Sequence, residues 1–126
     1  MSKTIYFLSA IMAGSMPTQA AAKQIYLDCT RGNGENSSLR EKFTLDEGAR
    51  SGTHAIPSTG LSTGELPADF GQKQVVLTSR SPIGGMVNEY VFDRVTLSYT
   101  LLRTIGTKLY THRGKCTLGK PPVRKF

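Results

Sequence analysis

The chain has 126 residues, 38% of them hydrophobic, with 16 Lys and Arg against 9 Asp and Glu and a formal net charge of +7. That length excludes more than one domain of ordinary size. The basic balance favours anionic neighbours such as lipid head groups, surface polysaccharide, nucleic acid or acidic proteins, and it also serves plain solubility.

The chain opens on a short positive end, Met1-Ser2-Lys3. An uncharged run from Thr4 to Met16 follows, rich in Ile5, Tyr6, Phe7, Leu8, Ile11 and Met12. Pro17 breaks any helix there, and Ala20-Ala21-Ala22 offers the small residues that a signal peptidase needs. In that order these features predict a secretory signal peptide over 1–22. Cleavage after Ala20 is the alternative, and a buried first strand or helix is the competing reading. The apolar run is shorter than the roughly 20 residues that span a bilayer. No Cys stands at the cleavage point to carry a lipid, and no later segment is apolar enough to cross a membrane. The expected organisation is therefore a leader at 1–22, a single β-domain at 23–118 and a basic tail at 119–126, in a periplasmic or secreted protein. Without Lys3, the region from residue 23 keeps 15 Lys and Arg against 9 Asp and Glu, a net +6.

Residues 24–30 alternate, with Ile25, Leu27 and Cys29 on one face and Tyr26, Asp28 and Thr30 on the other, which predicts a half-buried strand. Residues 31–38 are turn chemistry. A second strand over 39–46 turns Phe43 and Leu45 inward and Arg40, Lys42 and Thr44 outward. Residues 48–71 are rich in Gly, Ser and Thr and sustain no period. They predict one short strand near His54–Pro57 and otherwise loop, a natural place for function. Strands follow over 74–80, with Val75 and Leu77 on one face, and over 86–93, with Met86, Tyr90 and Phe92 on one face. The cleanest alternation is 95–102, where Val95, Leu97, Tyr99 and Leu101 point one way. Thr104-Ile105-Gly106 then turns the chain into a last strand over 107–118. In that strand a bulge at Gly114 is expected, because it would bring Leu109 inward and leave Lys108, Tyr110 and His112 on the outer face.

No segment reads as a helix. The expected fold is all-β, a small antiparallel meander barrel or sandwich of about 6–8 strands. Cys29 and Cys116 lie near the two ends of the mature region, and export would place them where disulfides persist. A disulfide between them would tie the first strand to the last, as in a closed or nearly closed sheet. Free thiols, a metal pair and an intermolecular bridge are the alternatives, although separation by the whole domain argues against a local metal knuckle or C-x-x-C site.

Chemistry-bearing patterns are few. His54 and His112 are the only histidines, H-E-x-x-H is absent, and neither a metal nor another cofactor is expected. No G-x-S-x-G elbow accompanies the serines. Gly32/Gly34 and Gly84-Gly85 read as hairpin punctuation. Asn36-Ser37-Ser38 matches N-x-S, which matters only in a eukaryotic secretory pathway. The candidate binding surface comprises Lys108, Tyr110 and His112 with His54, and the basic cluster Lys115, Lys120, Arg124 and Lys125 around Pro121-Pro122. No aromatic stacking platform accompanies that cluster, so nucleic acid is not an expected partner.

The early Tyr26-Leu27-Asp28-Cys29, the leader, roughly a hundred mature residues and a meander tied by a disulfide together resemble the layout of small periplasmic β-barrels of the lysozyme-inhibitor type. The layout is shared by many secreted bacterial proteins with two cysteines. The chain departs from the inhibitors in having no Trp and no clear counterpart of their inhibitory loop; Gly106-Thr107-Lys108-Leu109-Tyr110 resembles only its Ser/Gly-rich character, and no function is carried over on it. A +6 charge would also meet a strongly basic lysozyme with repulsion.

These readings converge on a non-enzymatic cell-envelope binding module that contacts an anionic envelope component or a protein partner through outer-face basic residues and the 48–71 segment. The alternative is a secreted or periplasmic inhibitor of an envelope or host enzyme. A hydrolase using His54 or His112, or a structural subunit of an envelope assembly, would be further readings.

Overall fold

The computed structural model describes residues 24–32, 38–82 and 84–121. The expected signal peptide at 1–22 lies outside them, as do Arg124 and Lys125 of the expected tail. Among the described residues there are nine strands and no helix: β1 (Gln24–Gly32), β2 (Ser38–Asp46), β3 (Ser51–Ile56), β4 (Leu61–Ser62), β5 (Leu66–Phe70), β6 (Gln74–Arg80), β7 (Met86–Asp93), β8 (Ser98–Ile105) and β9 (Lys108–Leu118).

All pairings are antiparallel. The ladder runs β2-β1-β9-β8-β7-β6-β5-β3, and β2 pairs again with β3, so the sheet closes on itself. Eight strands form the barrel, and the short β4 lies along the same edge of β3 as β5. Closure satisfies the backbone of both would-be edge strands at once. It brings Cys29 of β1 directly opposite Cys116 of β9, where they form a disulfide across a sequence separation of 87. In the chain-entropy account a link of that span stabilises by about 4–5 kcal/mol.

The period of two puts Leu27, Phe43, Leu45, Val75, Leu77, Phe92, Tyr99 and Leu101 inside. Phe43 sits at the centre. The His54 ring stacks on it at 4.6 Å, Phe92 meets it edge-on at 4.8 Å, and Tyr90 and Tyr99 lie at 5.1 and 5.7 Å. Ring pairs of this kind each add about 0.5–1.5 kcal/mol beyond area burial. The aromatic rings fill the middle of the barrel, as a closed sheet of this strand number allows.

Three local expectations are corrected. The stretch 48–71 is not mainly loop: it carries β3, β4 and β5. Its order comes from ladder partners, since β3 pairs with β2 from Ser51 to Ala55 while β5 bridges β3 to β6. The alternation is hidden because two of its inward positions are Gly52 and His54. A Cβ on Gly52 would stand 2.9 Å from Leu45 Cδ2, Leu77 Cδ1 and the Thr44 carbonyl oxygen, so only glycine fits.

The strand expected at 95–102 is displaced to Ser98–Ile105. Asp93 Oδ1 accepts from the backbone N–H of Val95 at 2.8 Å and of Thr96 at 2.9 Å, which holds 93–96 as a turn. Val95 is consequently 82% exposed rather than inward. Leu97 takes a left-handed φ of 63° yet still packs against the core, and its carbonyl accepts from the Cys116 N–H.

The bulge expected at Gly114 does not occur. The β8–β9 register is unbroken from Ser98 opposite Lys115 to Ile105 opposite Lys108. Gly114 faces inward beneath the Tyr99 ring, where a Cβ would come within 2.5 Å of Tyr99 Cε2 and 2.8 Å of the Thr30 carbonyl oxygen. The glycine marks a close approach rather than an extra residue. Strict alternation leaves Leu109 outside, 62% exposed.

Candidate functional site

The outer wall formed by β2, β1, β9 and β8 carries two adjoining depressions. Antiparallel partners directly opposite one another share a face. Register therefore aligns Arg40, Thr30, Lys115 and Ser98 in one outward row across the four strands. Lys42, Asp28 and Thr117 form the next row. A groove of about 680 Å³ lies over these rows, with Pro57 and Ser58 of the β3–β4 turn also lining it. A second depression of about 370 Å³ adjoins it across Thr30 and Lys115 and reaches Thr100 and Arg113.

Four cations thus run obliquely across the wall: Lys42, Arg40, Lys115 and Arg113. Strands stand about 4.8 Å apart and rise about 3.4 Å per residue, so the backbones of Arg40 and Lys115 are about 10 Å apart and same-strand neighbours about 7 Å. Lys42 Nζ contacts Asp28 Oδ1 at 3.2 Å, with both side chains well exposed. Such a pair contributes only about 0–1 kcal/mol and leaves the lysine free to exchange partners. Arg40, Lys115 and Arg113 make no ion pair among the described residues. Hydroxyls of Thr30, Ser38, Ser58, Thr117, Ser98 and Thr100 stand between the charges. The surface offers long-range attraction to anions and short-range hydrogen bonds to their oxygens.

A second polar group lies beneath the groove, inside the barrel. Glu41, 1% exposed, points inward between Phe43 and Leu39 positions of β2. His54 Nε2 stands 2.8 Å from its Oε2, Arg31 contacts the same oxygen at 3.4 Å, and the Tyr99 hydroxyl donates to Oε1. Burial alone would raise the Glu41 pKa. The hydrogen bonds from His54 and Tyr99, with the Arg31 and His54 charge, outweigh it and hold the carboxyl below its ordinary value. An ionised carboxylate only accepts, so His54 donates through Nε2. Burial, then the hydrogen bond and charge of Glu41, push the Tyr99 phenol well up. Burial and the Glu41 charge push Tyr90 up as well. An unpaired carboxylate here would cost several kcal/mol, so the three donors are what makes Glu41 tolerable.

The expected site residues therefore separate. Lys115 lines the groove. Lys120 is exposed just beyond β9. His54 is not at the surface: it is 5% exposed, because β3 turns it toward Phe43 and Glu41. Lys108, Tyr110 and His112 do share a face, but not the outer one. Without a bulge they fall on the same side as Gly114 and Cys116, opposite Ile105, Arg103 and Leu101. Arg40, Lys42 and Arg113 complete the groove and were not expected to form a site. The outward direction of Arg40 and Lys42 was readable from alternation, and their adjacency to Lys115 needs the β1–β9 closure; Arg113 stands two residues from Lys115 on β9, and the expected bulge hid its direction. Glu41 had a signal of its own, a charged residue on the apolar face of Phe43 and Leu45.

Among the described residues no three His, Cys, Asp or Glu side chains are grouped to hold a metal ion. No helix among them is long and apolar enough to cross a membrane. The chain matches no protein-family model, no curated protein and no solved structure.

Proposed function

We propose that this chain is a non-enzymatic binding module of the cell envelope that holds an anionic partner in the outer groove. The observation that carries the reading is the oblique row of Lys42, Arg40, Lys115 and Arg113 along two adjoining depressions. A concave, hydroxyl-lined track suits a linear polyanion such as an acidic polysaccharide, whose charges repeat along its length. The 48–71 segment contributes the wall at Pro57 and Ser58. A disulfide-closed barrel is compatible with export, where thiols oxidise and such links persist. The non-enzymatic part of the reading draws support from the histidines. His54 is committed to Glu41 inside the barrel, and neither histidine lines the groove.

The test is retention of the folded protein on an immobilised acidic polysaccharide as salt is raised. Retention should fall steeply near physiological ionic strength, where the Debye length is about 8 Å. The double variant Arg40→Glu with Lys115→Glu should weaken binding at least about tenfold, or about 1.4 kcal/mol. Retention that ignores both salt and the double variant would overturn the reading.

A further inference from the structure

The β8–β9 hairpin reaches past the point where the barrel closes. β9 pairs with β8 along Lys108–Lys115, but β1 meets it only from Gly114 to Leu118. The outer edge of Lys108–Arg113 therefore has no strand beside it among the described residues. It offers about 20 Å of backbone donors and acceptors, enough for one added strand.

Two further observations say what that strand would be. Ile105, Leu109 and Tyr110 are the large exposed apolar side chains at the turn end of this hairpin, at 42%, 62% and 44% exposure. Leu109 and Tyr110 stand on opposite faces of the open edge, where a neighbouring strand would cover them; Ile105 lies one strand in, on β8. Lys108 and Arg113 flank them at the ends of the stretch and make no ion pair among the described residues. Pairing the whole edge antiparallel with a second copy would set Lys108 opposite Arg113 at both ends, a like-charge arrangement that opposes self-association.

We propose that the edge of β9 from Lys108 to Arg113 accepts an extended acidic segment of another protein by strand addition. Backbone hydrogen bonds supply the docking, and side chains set the choice. In the antiparallel register the incoming strand carries an acidic residue opposite Arg113, two residues opposite His112 and Thr111, apolar residues opposite Tyr110 and Leu109, and an acidic residue opposite Lys108. The surface meets the groove only at Arg113, which lines the second depression; Lys108, Leu109 and Tyr110 line neither.

The probe is an acetylated and amidated hexapeptide with glutamate at both ends, threonine at the second and third positions and valine at the fourth and fifth. It is titrated into the full chain with amide hydrogen exchange as readout. Saturable binding should slow exchange within Lys108–Arg113. Lys108→Glu and Leu109→Ser, both at exposed positions, should each weaken binding at least about tenfold, or about 1.4 kcal/mol. Unchanged exchange in β6 and β7 confirms that the variants are folded. Arg40→Glu should leave peptide binding intact, so the groove and the edge can fail separately. No saturable binding would overturn the proposal, as would protection centred on Arg40–Lys42. Concentration-dependent self-association that protects the same amides without peptide would also overturn it, by giving the edge to a second copy.

Discussion

Arg40, Glu41 and Lys42 are consecutive residues of β2, yet they live in opposite surroundings. Glu41 is enclosed and answered by His54, Arg31 and Tyr99. Arg40 and Lys42 stand in the outer groove, one with no ion pair among the described residues and the other with a weak exposed one. The contrast separates two uses of charge. Inside, a charge is tolerated only because its partners are fixed in advance, so it specifies the fold. Outside, water carries the cost of leaving a cation without a partner, so it can wait for one.

The comparison can be broken in several places. The largest effect belongs to the covalent link that holds the two regions in one closed sheet. Reducing Cys29–Cys116 should lower the unfolding free energy by about 4–5 kcal/mol, read from urea titrations with and without reductant. A loss under about 1 kcal/mol would mean that the ladders close the barrel unaided.

Next comes the interior charge. Glu41→Ala strands Arg31 and leaves Tyr99 and His54 without their acceptor, for an expected loss of about 3–5 kcal/mol. The pH dependence follows from the same group. Its folded pKa lies below the ordinary 4.5, so just below that pH the unfolded chain binds more protons than the folded one. The stabilisation is complete above about pH 4.5 and is lost as pH falls through the depressed folded value. Glu41→Gln should flatten this part of the acid limb. An unaltered limb would assign acid sensitivity to other carboxylates, of which Asp93, lowered by the N–H groups of Thr96 and Val95, is one.

Gly114→Ala should cost about 1–3 kcal/mol by driving a methyl into the Tyr99 ring and the Thr30 carbonyl. A neutral result would show that the wall can relax there. The smallest change in stability belongs to the outer cations. Arg40→Ala should shift unfolding by no more than about 0.5 kcal/mol while weakening retention on polyanion. A large loss of stability would show that Arg40 serves the fold and would erase the distinction drawn between the two faces of β2.

Much of the strand plan was legible because alternation is a local property. β1, β2, β6 and β7 follow the expected faces, down to Cys29 beside Leu27 and Phe43 beside Leu45. Legibility failed where the inward residue was not apolar. Gly52 and His54 concealed the start of β3, of which only a short strand near His54–Pro57 was read, and the side chain of Asp93 ended one strand and turned the chain before Ser98. It failed again at Leu109, where an apolar residue was assumed to need burial. The hairpin end stands beyond the closed part of the wall, so strict alternation was free to leave that leucine in water.

By itself the sequence determined an all-β chain, the inward set of most strands, both cysteines on core faces and a basic outer surface. Those follow from a two-residue period and from composition, which any short stretch of chain carries within itself. Only the tertiary structure decided which outward residues became neighbours and which inward polar groups met. Lys115 lies beside Arg40 because β9 pairs with β1, and Glu41 meets Tyr99 because the sheet closes around Phe43. Strand partners are chosen by contacts far apart in sequence, and no local period records them.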